Sequence, residues 1–395
     1  MTAVQAPRTG FVRTAGRALL GTVRAPRPER KGAWGTAQVV VVVSVAALNL
    51  LGLAMVLSAS SVSSLYEGTD TWFHFQRQAT WIGLGTIALL VARAVDYQAL
   101  RKLIPAALAV TIVALLVVKL PGFGVQAKGA TRWIAVGPVT FQPTELLKLT
   151  MVLYTADLLA RRDGHLDRPA RTLFPVLAVF GFCGILVMAQ PDLGSLIVVG
   201  GITMAVLFAG GVQLAPLFAT TLAGGALAMT LAMTEGYRRN RLLAFLDPWE
   251  DPLNTGYQTI QSLVGVASGG VTGVGLGEGR AKWGYLPEAH TDFIYAVVGE
   301  EMGFIGSVMV LALFATLAAV GVRIALRAPD RFGTLVAIGI VVWLVLQALV
   351  NVGTVVGVLP ITGVPLPFVS FGGTSLVVGM AAIGLLLNIG RQGSA

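Results

Sequence analysis

Two ionisable residues, Glu145 and Lys148, lie within an otherwise apolar stretch of the chain. A spacing of three residues puts both side chains on one face of a helix, and Pro143 suits the first turn of that helix. Charged groups in apolar surroundings are costly unless they neutralise each other or face a polar cavity. Two interpretations therefore stay open: a structural ion pair, or part of a cavity wall that meets a polar or charged substrate.

A second candidate is Asp292, which stands where a long polar segment enters an apolar run. In the first turn of a helix this carboxylate would be kept ionised by the helix dipole, and it could then accept a proton from a substrate hydroxyl group. Glu288 and His290 are near enough in the sequence to tune or assist it. The alternative is that Thr291 and Asp292 only cap the helix and do no chemistry.

Two short polar segments carry a third set of candidates, all of them cationic. Its members are Lys128, Arg132, Arg238, Arg239 and Arg241. Arginine is geometrically suited to a pyrophosphate group, because its guanidinium can donate two parallel hydrogen bonds. The same cations could instead contact lipid head groups. Trp133, next to Arg132, is typical of an aromatic residue anchored at a membrane–water boundary.

The composition indicates which kind of scaffold must hold these residues. Of the 395 residues, 55% are hydrophobic and 12% are charged, and the mean hydropathy is +0.78, whereas soluble domains carry about 25% charged residues. A chain so poor in charge needs lipid as its solvent. The net charge of +9 does not indicate nucleic acid as a partner, because the basic residues are spread over a tail and several short links. The single cysteine, Cys183, excludes a disulfide or a cysteine-based metal site within one chain.

Apolar runs separated by polar residues predict an all-α, polytopic membrane protein of about ten transmembrane helices. The predicted spans are Val39–Leu57, Ala79–Ala92, Leu103–Val118, Thr140–Ala160, Leu173–Ala189, Leu193–Gly210, Leu214–Met233, Phe293–Leu326, Thr334–Val356 and Ser370–Ile389. A basic and disordered tail, residues 1–36, is expected to precede the ten-helix domain, residues 37–392. With ten spans, the tail and the arginine-rich links all fall on one side, which predicts that both termini are cytoplasmic.

The opposite, outer side receives the remaining connections, and residues 234–292, between the seventh and eighth spans, form by far the largest of them. A loop of that length in a compact protein is usually functional. Within it, Tyr257–Ala267 alternates polar and apolar residues at helical spacing, which predicts a surface helix lying on the bilayer. A second outer segment, Pro360–Ser375, has closely spaced prolines and glycines, which predict a rigid, non-helical loop.

Six segments carry a resemblance to a known family. They are Gly129–Ile134, Phe141–Glu145, Gln190–Gly194, Phe245–Trp249, Tyr285–Phe293 and Leu366–Gly373. In their order and spacing, from about residue 37 to residue 392, the chain resembles the bacterial shape, elongation, division and sporulation (SEDS) family. Within that family, Pro287–His290 followed by Gly299–Glu301, and the run Val56–Ser60, are more similar to the division member than to the elongation member.

The resemblance implies a peptidoglycan glycosyltransferase that polymerises lipid II, a disaccharide-peptide on a polyprenyl pyrophosphate, during cell division. It implies that Asp292 is the catalytic residue, a general base on the acceptor 4-hydroxyl group, with inversion and release of polyprenyl pyrophosphate. From the motifs and the outer cations we also expect a set of substrate-binding residues around an outer cavity. The members of this set are Lys128, Arg132, Trp133, Gln142, Glu145, Lys148, Arg239, Arg241, Glu288, His290, Ser370 and Gly372.

The resemblance further implies a class B penicillin-binding protein as a cross-linking partner, other division proteins, and a place at the division septum of the bacterial plasma membrane. The sequence requires no cofactor, although a divalent cation, Mg²⁺ or Mn²⁺, could neutralise the pyrophosphate in place of arginines. Two other functions stay open: transport of lipid II between leaflets, which Glu145 and Lys148 would serve equally well, and a non-catalytic division scaffold. An elongation-type polymerase is the alternative within the family.

Overall fold

The fold is taken from a computed structural model, which describes residues 35–393 apart from residues 67, 128–129, 138 and 235. The predicted basic tail lies outside these residues except for positions 35 and 36. The helices of the first half are α1 (Thr36–Tyr66), α2 (Phe73–Ala94), α3 (Tyr97–Leu100), α4 (Ile104–Val117), α5 (Pro143–Arg161), α6 (Leu173–Met188) and α7 (Leu193–Ala209). Those of the second half are α8 (Leu214–Thr234), α9 (Gly236–Leu246), α10 (Tyr257–Ser268), α11 (Ile294–Leu326), α12 (Arg331–Val355) and α13 (Gly373–Gly393).

Within the described residues, ten long helices coincide with the ten predicted spans, and the all-α prediction is confirmed. Six segments of this part of the chain are long and apolar enough to cross a membrane: α1, the α3–α4 segment, α8, α11, α12 and α13. The helices α6 and α7 are apolar but shorter, and α2 and α5 complete the ten. These helices form because long apolar runs in lipid must satisfy every backbone amide within the segment.

The bundle has a buried centre and a loosely attached edge. At the centre, α12 packs closely on α5, and a Cβ atom on Gly339 would lie only 2.6 Å from Val152 Cγ1. At the edge, α8 packs against α7 and α9, and Leu217 is the buried residue that its described part contributes. Most of the described surface of α8 is therefore exposed and makes few contacts with the rest of the bundle.

A three-stranded antiparallel sheet between α4 and α5 was not predicted. It consists of β1 (Gly124–Ala127), β2 (Ala130–Val136) and β3 (Val139–Phe141), in that spatial order. The strand β2 is rich in β-branched and aromatic residues, and Gly137, with φ 62°, makes the turn into β3. These are the ordinary signals of a hairpin, so the sequence held enough information to predict it. Because side chains alternate along a strand, Arg132 and Trp133 point to opposite faces of the sheet.

The large outer segment contains the predicted surface helix. That helix is confirmed as α10, Tyr257–Ser268, while its contact with the bilayer stays a prediction. It buries a face that includes Ile260 and Ser262, and the Ser262 hydroxyl donates to Val355 O at 2.7 Å. The outer segment is therefore anchored directly to the end of α12.

A glycine-rich stretch between α10 and α11 wraps around two buried carboxylates of α11. Glu300 Oε1 accepts from Arg280 N at 2.7 Å, and Glu301 Oε2 accepts from Gly277 N at 2.9 Å. Ser58 of α1 donates to Glu301 Oε1 at 2.5 Å. The two carboxylates thus fix the chain just before the segment that carries Asp292.

Candidate active site

Asp292 lies in the segment that leads into α11, two residues before that helix begins at Ile294. The predicted first-turn position is therefore wrong: Phe293 occupies the N-cap position and offers no side-chain cap. The Thr291 hydroxyl, also expected as a cap, donates to Glu288 Oε2 at 2.9 Å. Asp292 is half-buried, which leaves part of its surface accessible to a bound molecule.

The backbone around Asp292 is held by α12 and by the segment between α12 and α13. Three consecutive carbonyl oxygens accept hydrogen bonds: His290 O from Phe371 N at 2.9 Å, Thr291 O from Ser370 Oγ at 2.6 Å, and Asp292 O from Asn351 Nδ2 at 2.7 Å. The same segment passes directly beside the carboxylate, since a Cβ atom on Gly363 would lie 3.7 Å from Asp292 Oδ2. The non-helical outer loop predicted from its prolines and glycines is therefore the element that positions Asp292.

Two residues of these segments have a strained backbone. Glu288 has φ 60° and Phe368 has φ 65°, in the left-handed region that side chains other than glycine avoid. Such conformations cost about 1–3 kcal/mol each and persist only where the surroundings enforce them. The surroundings of Asp292 are thus tightly determined on both sides.

His290 packs in a cluster of rings with His74 and Phe371. The ring centroids are 4.9 Å apart for His290 and His74, 5.1 Å for His74 and Phe371, and 5.9 Å for His290 and Phe371. His74 belongs to α2 and contacts His290 there. No local signal predicts this contact, since the two histidines are far apart in the chain.

Ser370 and Gly372 occupy the loop opposite Asp292. Ser370 is 3% exposed, and its hydroxyl also accepts from Leu366 N at 2.8 Å. In this conformation Ser370 fastens two loops together and does not face an open cavity. Gly372 is half-buried and immediately precedes α13. Contact of either residue with substrate stays a prediction.

Arg132 and Arg241 line a cavity of about 240 Å³ between α7, α8 and the outer loops. Most of its wall is apolar and comes from Leu193, Ile197, Ala228 and Met229, among others. Residues 360–362 form another side of the cavity, and the next residue, Gly363, adjoins Asp292. The cavity and the carboxylate therefore meet at one short segment of backbone.

The two arginines are held by main-chain carbonyl groups. Arg132 Nε donates to Gln190 O at 3.3 Å, and Arg241 Nη1 donates to Ile361 O at 3.5 Å. These carbonyl groups carry no net charge, but Arg132 Nη1 also lies 3.9 Å from the carboxylate oxygen Asp192 Oδ1. Both guanidinium groups belong to the cavity wall, where an anion could meet them.

Glu145 and Lys148 lie in the first two turns of α5 and form a buried ion pair. Lys148 Nζ is 2.7 Å from Glu145 Oε1, and their side chains are 1% and 2% exposed. Lys148 Nζ also donates to Gln347 Oε1 at 2.9 Å. This conformation favours the structural pair over a cavity wall, and contact of either side chain with substrate stays a prediction.

Asp192, which is missing from the predicted set, joins two residues of that set. Gln142 Nε2 donates to Asp192 Oδ2 at 3.4 Å, and Arg132 Nη1 lies 3.9 Å from Asp192 Oδ1. Asp192 is also the N-cap of α7 and accepts from Ser195 N at 3.2 Å. Asp192 lies in Gln190–Gly194, one of the six segments that carry the family resemblance, and that resemblance could have identified it as a site residue.

The remaining predicted residues are dispersed. Arg239 is exposed on α9 and Trp133 is half-buried on β2, while Lys128 lies outside the described residues. Across the part of the chain that the structure describes, no three histidine, cysteine, aspartate or glutamate side chains are grouped to hold a metal ion. The candidate site therefore consists of Asp292 with its loops, and of the cavity that carries two arginines.

Comparison with known proteins identifies the family. The model of the family described as "Cell cycle protein", FTSW_RODA_SPOVE, matches residues 38–395. The chain belongs to the SEDS family. This SEDS chain is a multi-pass membrane protein, in agreement with the sequence-based prediction.

Curated relatives are similar over most of their length. A SEDS protein of Geobacter metallireducens, named "Probable peptidoglycan glycosyltransferase FtsW", is 41% identical over 353 residues, which cover 89% of this chain and 94% of that protein. Stage V sporulation protein E of Bacillus subtilis is 39% identical over 341 residues, which cover 86% of this chain and 93% of that protein. The resemblance to the SEDS family is thereby confirmed.

Solved SEDS structures have the same fold. A chain from a peptidoglycan synthase complex, described as coordinating polymerization and crosslinking, has a TM-score of 0.73 at 31% identity, covering 89% of this chain and 97% of that one. The rod shape determining protein RodA of Thermus thermophilus has a TM-score of 0.67 at 27% identity, covering 92% of this chain and 98% of that one.

Proposed function

We propose that this protein is a peptidoglycan glycosyltransferase of the division type, which polymerises lipid II with Asp292 as the general base. Its membership of the SEDS family and its similarity to proteins named FtsW support the activity. The observation that carries the mechanism is that one loop segment connects two features. Its residues 360–362 line a cavity with apolar walls and two arginines, and its next residue, Gly363, lies beside the Asp292 carboxylate. A sugar donor on a polyprenyl pyrophosphate needs those features together: an apolar wall for its lipid, cations for its pyrophosphate, and a base for the acceptor.

The chemistry is one displacement with inversion. Asp292 takes the proton of the acceptor 4-hydroxyl group, and the oxygen forms a bond to the anomeric carbon of the donor. The bond from that carbon to the pyrophosphate oxygen breaks, and its electron pair leaves with the polyprenyl pyrophosphate. Pyrophosphate is a good leaving group, so one carboxylate base is sufficient when the charge of the leaving group is stabilised.

That stabilisation is assigned to Arg132 and Arg241, whose guanidinium groups line the cavity. Arginine suits this role because its planar guanidinium can donate two parallel hydrogen bonds to a phosphate group. A divalent cation is the alternative source of charge. Chelation separates the two: activity that survives chelation and falls in Arg241→Gln supports the arginines, and activity that chelation abolishes supports the cation.

The arrangement also supports an orientation and a partner. The basic links between helices lie at the end of the bundle opposite Asp292, which favours cytoplasmic termini and a site at the outer face of the plasma membrane. The structural similarity to a chain of a synthase complex that coordinates polymerization and crosslinking favours a class B penicillin-binding protein as the partner. Similarity to proteins named FtsW supports a place at the division septum among other division proteins.

The test is reconstitution of the purified protein with its transpeptidase partner and labelled lipid II, with glycan strands separated on a gel. Asp292→Asn keeps the size of the side chain and removes the base, so we expect the rate to fall about 10²- to 10⁴-fold. Asp163→Asn is the control and should polymerise at the wild-type rate, because Asp163 lies just past the C-terminal end of α5, far from Asp292.

Full polymerisation by Asp292→Asn would overturn the assignment of the base. Movement of lipid II between leaflets without glycan strands would favour the transporter. Inactivity of the wild-type protein in both assays would favour the scaffold.

A further inference from the structure

The helix α12 presents three buried polar side chains on one face, spaced four residues apart. Trp343, Gln347 and Asn351 are 1%, 2% and 1% exposed. Residues four apart on a helix lie one above the other, so these side chains form a column along α12. Polar groups this deeply buried normally have hydrogen-bond partners, and the identity of those partners indicates what the column holds in place.

Asn351 binds the segment that carries Asp292. Its Nδ2 donates to Asp292 O at 2.7 Å and to Val364 O at 2.9 Å. An amide NH₂ group has two hydrogens to donate, so this geometry uses both. One side chain thus ties the proposed base to the loop that passes beside its carboxylate at Gly363.

Gln347, one turn away, binds the next residue of the same loop. Its Nε2 donates to Pro365 O at 2.9 Å, while its Oε1 accepts from Lys148 Nζ at 2.9 Å and from Trp343 Nε1 at 2.8 Å. The loop residues 364 and 365 are therefore held by adjacent turns of α12. Through Gln347, the buried pair of Lys148 and Glu145 is connected to the loop beside Asp292.

We propose that Asn351 and Gln347 are positioning residues for Asp292, and that they couple it to the buried pair of Glu145 and Lys148. The inference rests on the proposed role of Asp292. Neither amide has to touch the substrate, because each acts through main-chain carbonyl groups at 292, 364 and 365. A displacement of about 1 Å at a reacting group can cost about 10²-fold in rate, so the loss of these bonds lowers kcat while substrate binding is kept.

A second buried asparagine provides a matched control. Asn388 of α13 is 0% exposed, and its Nδ2 donates to Arg93 O at 2.6 Å and to Val95 O at 2.8 Å. Its NH₂ group has the same number of carbonyl partners as that of Asn351, but it lies at the opposite end of the bundle. The two side chains differ at Oδ1, which in Asn388 accepts from Tyr97 N at 3.4 Å and from Gln392 Nε2 at 3.0 Å. The effect of losing the two NH₂ hydrogen bonds is therefore common to both sites, and the folded fraction of each variant accounts for the difference at Oδ1.

The experiment compares Asn351→Asp with Asn388→Asp in the reconstituted system with lipid II. Each substitution keeps the size of the side chain and removes the NH₂ donor. We expect kcat of Asn351→Asp to fall about 10- to 100-fold, with KM for lipid II within about threefold of wild type. Asn388→Asp should keep kcat within about threefold per folded molecule, with the folded fraction of each variant measured by thermal unfolding in detergent.

Equal kcat values for the two variants, or a change in KM alone for Asn351→Asp, would overturn the proposal. If Asn351→Asp does not fold, Asn351→Ser replaces it, because serine keeps one hydrogen-bond donor. Its kcat per folded molecule must then fall by the same criterion. A double-mutant cycle of Gln347→Leu with Asn351→Ser must show non-additive losses in kcat, since both residues hold one loop. Asp292→Asn is measured in parallel. Full activity of Asp292→Asn would overturn the role of Asp292 as the base. An inactive Asp292→Asn together with a fully active Asn351→Asp would overturn only the positioning role of the two amides.

Discussion

The two ends of α5 each carry an ion pair of the same length in very different surroundings. At the outer end, Lys148 Nζ lies 2.7 Å from Glu145 Oε1, and the side chains are 1% and 2% exposed. Past the other end, Arg331 Nη1 lies 2.7 Å from Asp163 Oδ1, and the side chains are 29% and 56% exposed. Since the distances are equal, the surroundings are the variable in this comparison.

The surroundings decide what each pair contributes. Exposed ion pairs add about 0–1 kcal/mol to stability, because water and salt screen the attraction. A buried pair loses its hydration, so an apolar pair of similar size would often be as stable or more stable. The pair of Asp163 and Arg331 is thus a contact that can be replaced singly, whereas Glu145 and Lys148 are charges whose removal affects their neighbours. Charges kept at such a cost fit the end of the helix that lies nearer the proposed site.

The largest effect is expected from Lys148→Met, which breaks the buried pair from one side. Glu145 would be left as an uncompensated buried charge, and its Oε2 already has no hydrogen-bond partner among the described residues. We expect a loss of about 3–5 kcal/mol in the free energy of unfolding, measured by chemical denaturation in detergent micelles.

The control for this prediction removes both charges. Glu145→Gln combined with Lys148→Met should recover part of the lost stability, because no unpaired charge remains. A loss below about 1 kcal/mol for Lys148→Met alone would mean that burial does not distinguish the two ends.

An intermediate effect is expected from Glu300→Gln, on the outer side. The Glu300 carboxylate accepts from Arg280 N at 2.7 Å and from Ala281 N at 3.0 Å, and glutamine would turn an NH₂ group toward one of these donors. We expect a loss of about 1.5–3 kcal/mol, the range for hydrogen bonds to charged groups. Hydrogen exchange should report it as faster exchange of the amides of residues 277–281.

Glu278→Gln is the matched control, because Glu278 lies exposed on the same glycine-rich stretch. It should leave the exchange rates unchanged. Equal exchange rates in the two variants would show that the buried Glu300 carboxylate does not hold this stretch in place.

The helices could be predicted from the sequence, because each apolar run of a membrane helix is a local signal. The ten predicted spans and α10 required nothing beyond hydropathy and spacing. The hairpin of β2 (Ala130–Val136) and β3 (Val139–Phe141) carries local signals too, but these are short and lie between two apolar runs with a much stronger helical signal. Asp292 was predicted in the first turn of α11 and lies two residues before it, because the exact end of a helix depends on which residue caps it.

The packing of the site could not be predicted, because it depends on contacts between distant parts of the chain. Asn351 lies within a predicted span and bonds the loops at residues 292 and 364, which its position in an apolar run does not indicate. Likewise, the sequence of Glu300 and Glu301 indicates only a resemblance to the division member of the family. The structure shows that their carboxylates accept hydrogen bonds from backbone amides. Which carbonyl or amide meets a side chain is set by loop geometry, and loop geometry has no periodic signal.

The smallest effect is expected from Asp163→Asn, which removes the charge of the exposed pair. Asparagine Oδ1 can still accept a hydrogen bond from Arg331, and Arg331 Nη2 also donates to Gly210 O at 2.6 Å, so the guanidinium keeps a second anchor. We expect a change of about 0–1 kcal/mol in the free energy of unfolding, and this change should shrink further at high salt. The same denaturation series as for Lys148→Met measures it, at low and at high ionic strength. A loss as large as that of Lys148→Met would contradict the comparison. Ion pairs of equal length would then contribute equally to stability whether they are buried or exposed. The pair of Asp163 and Arg331 would then depend on its neighbours as strongly as the buried pair does.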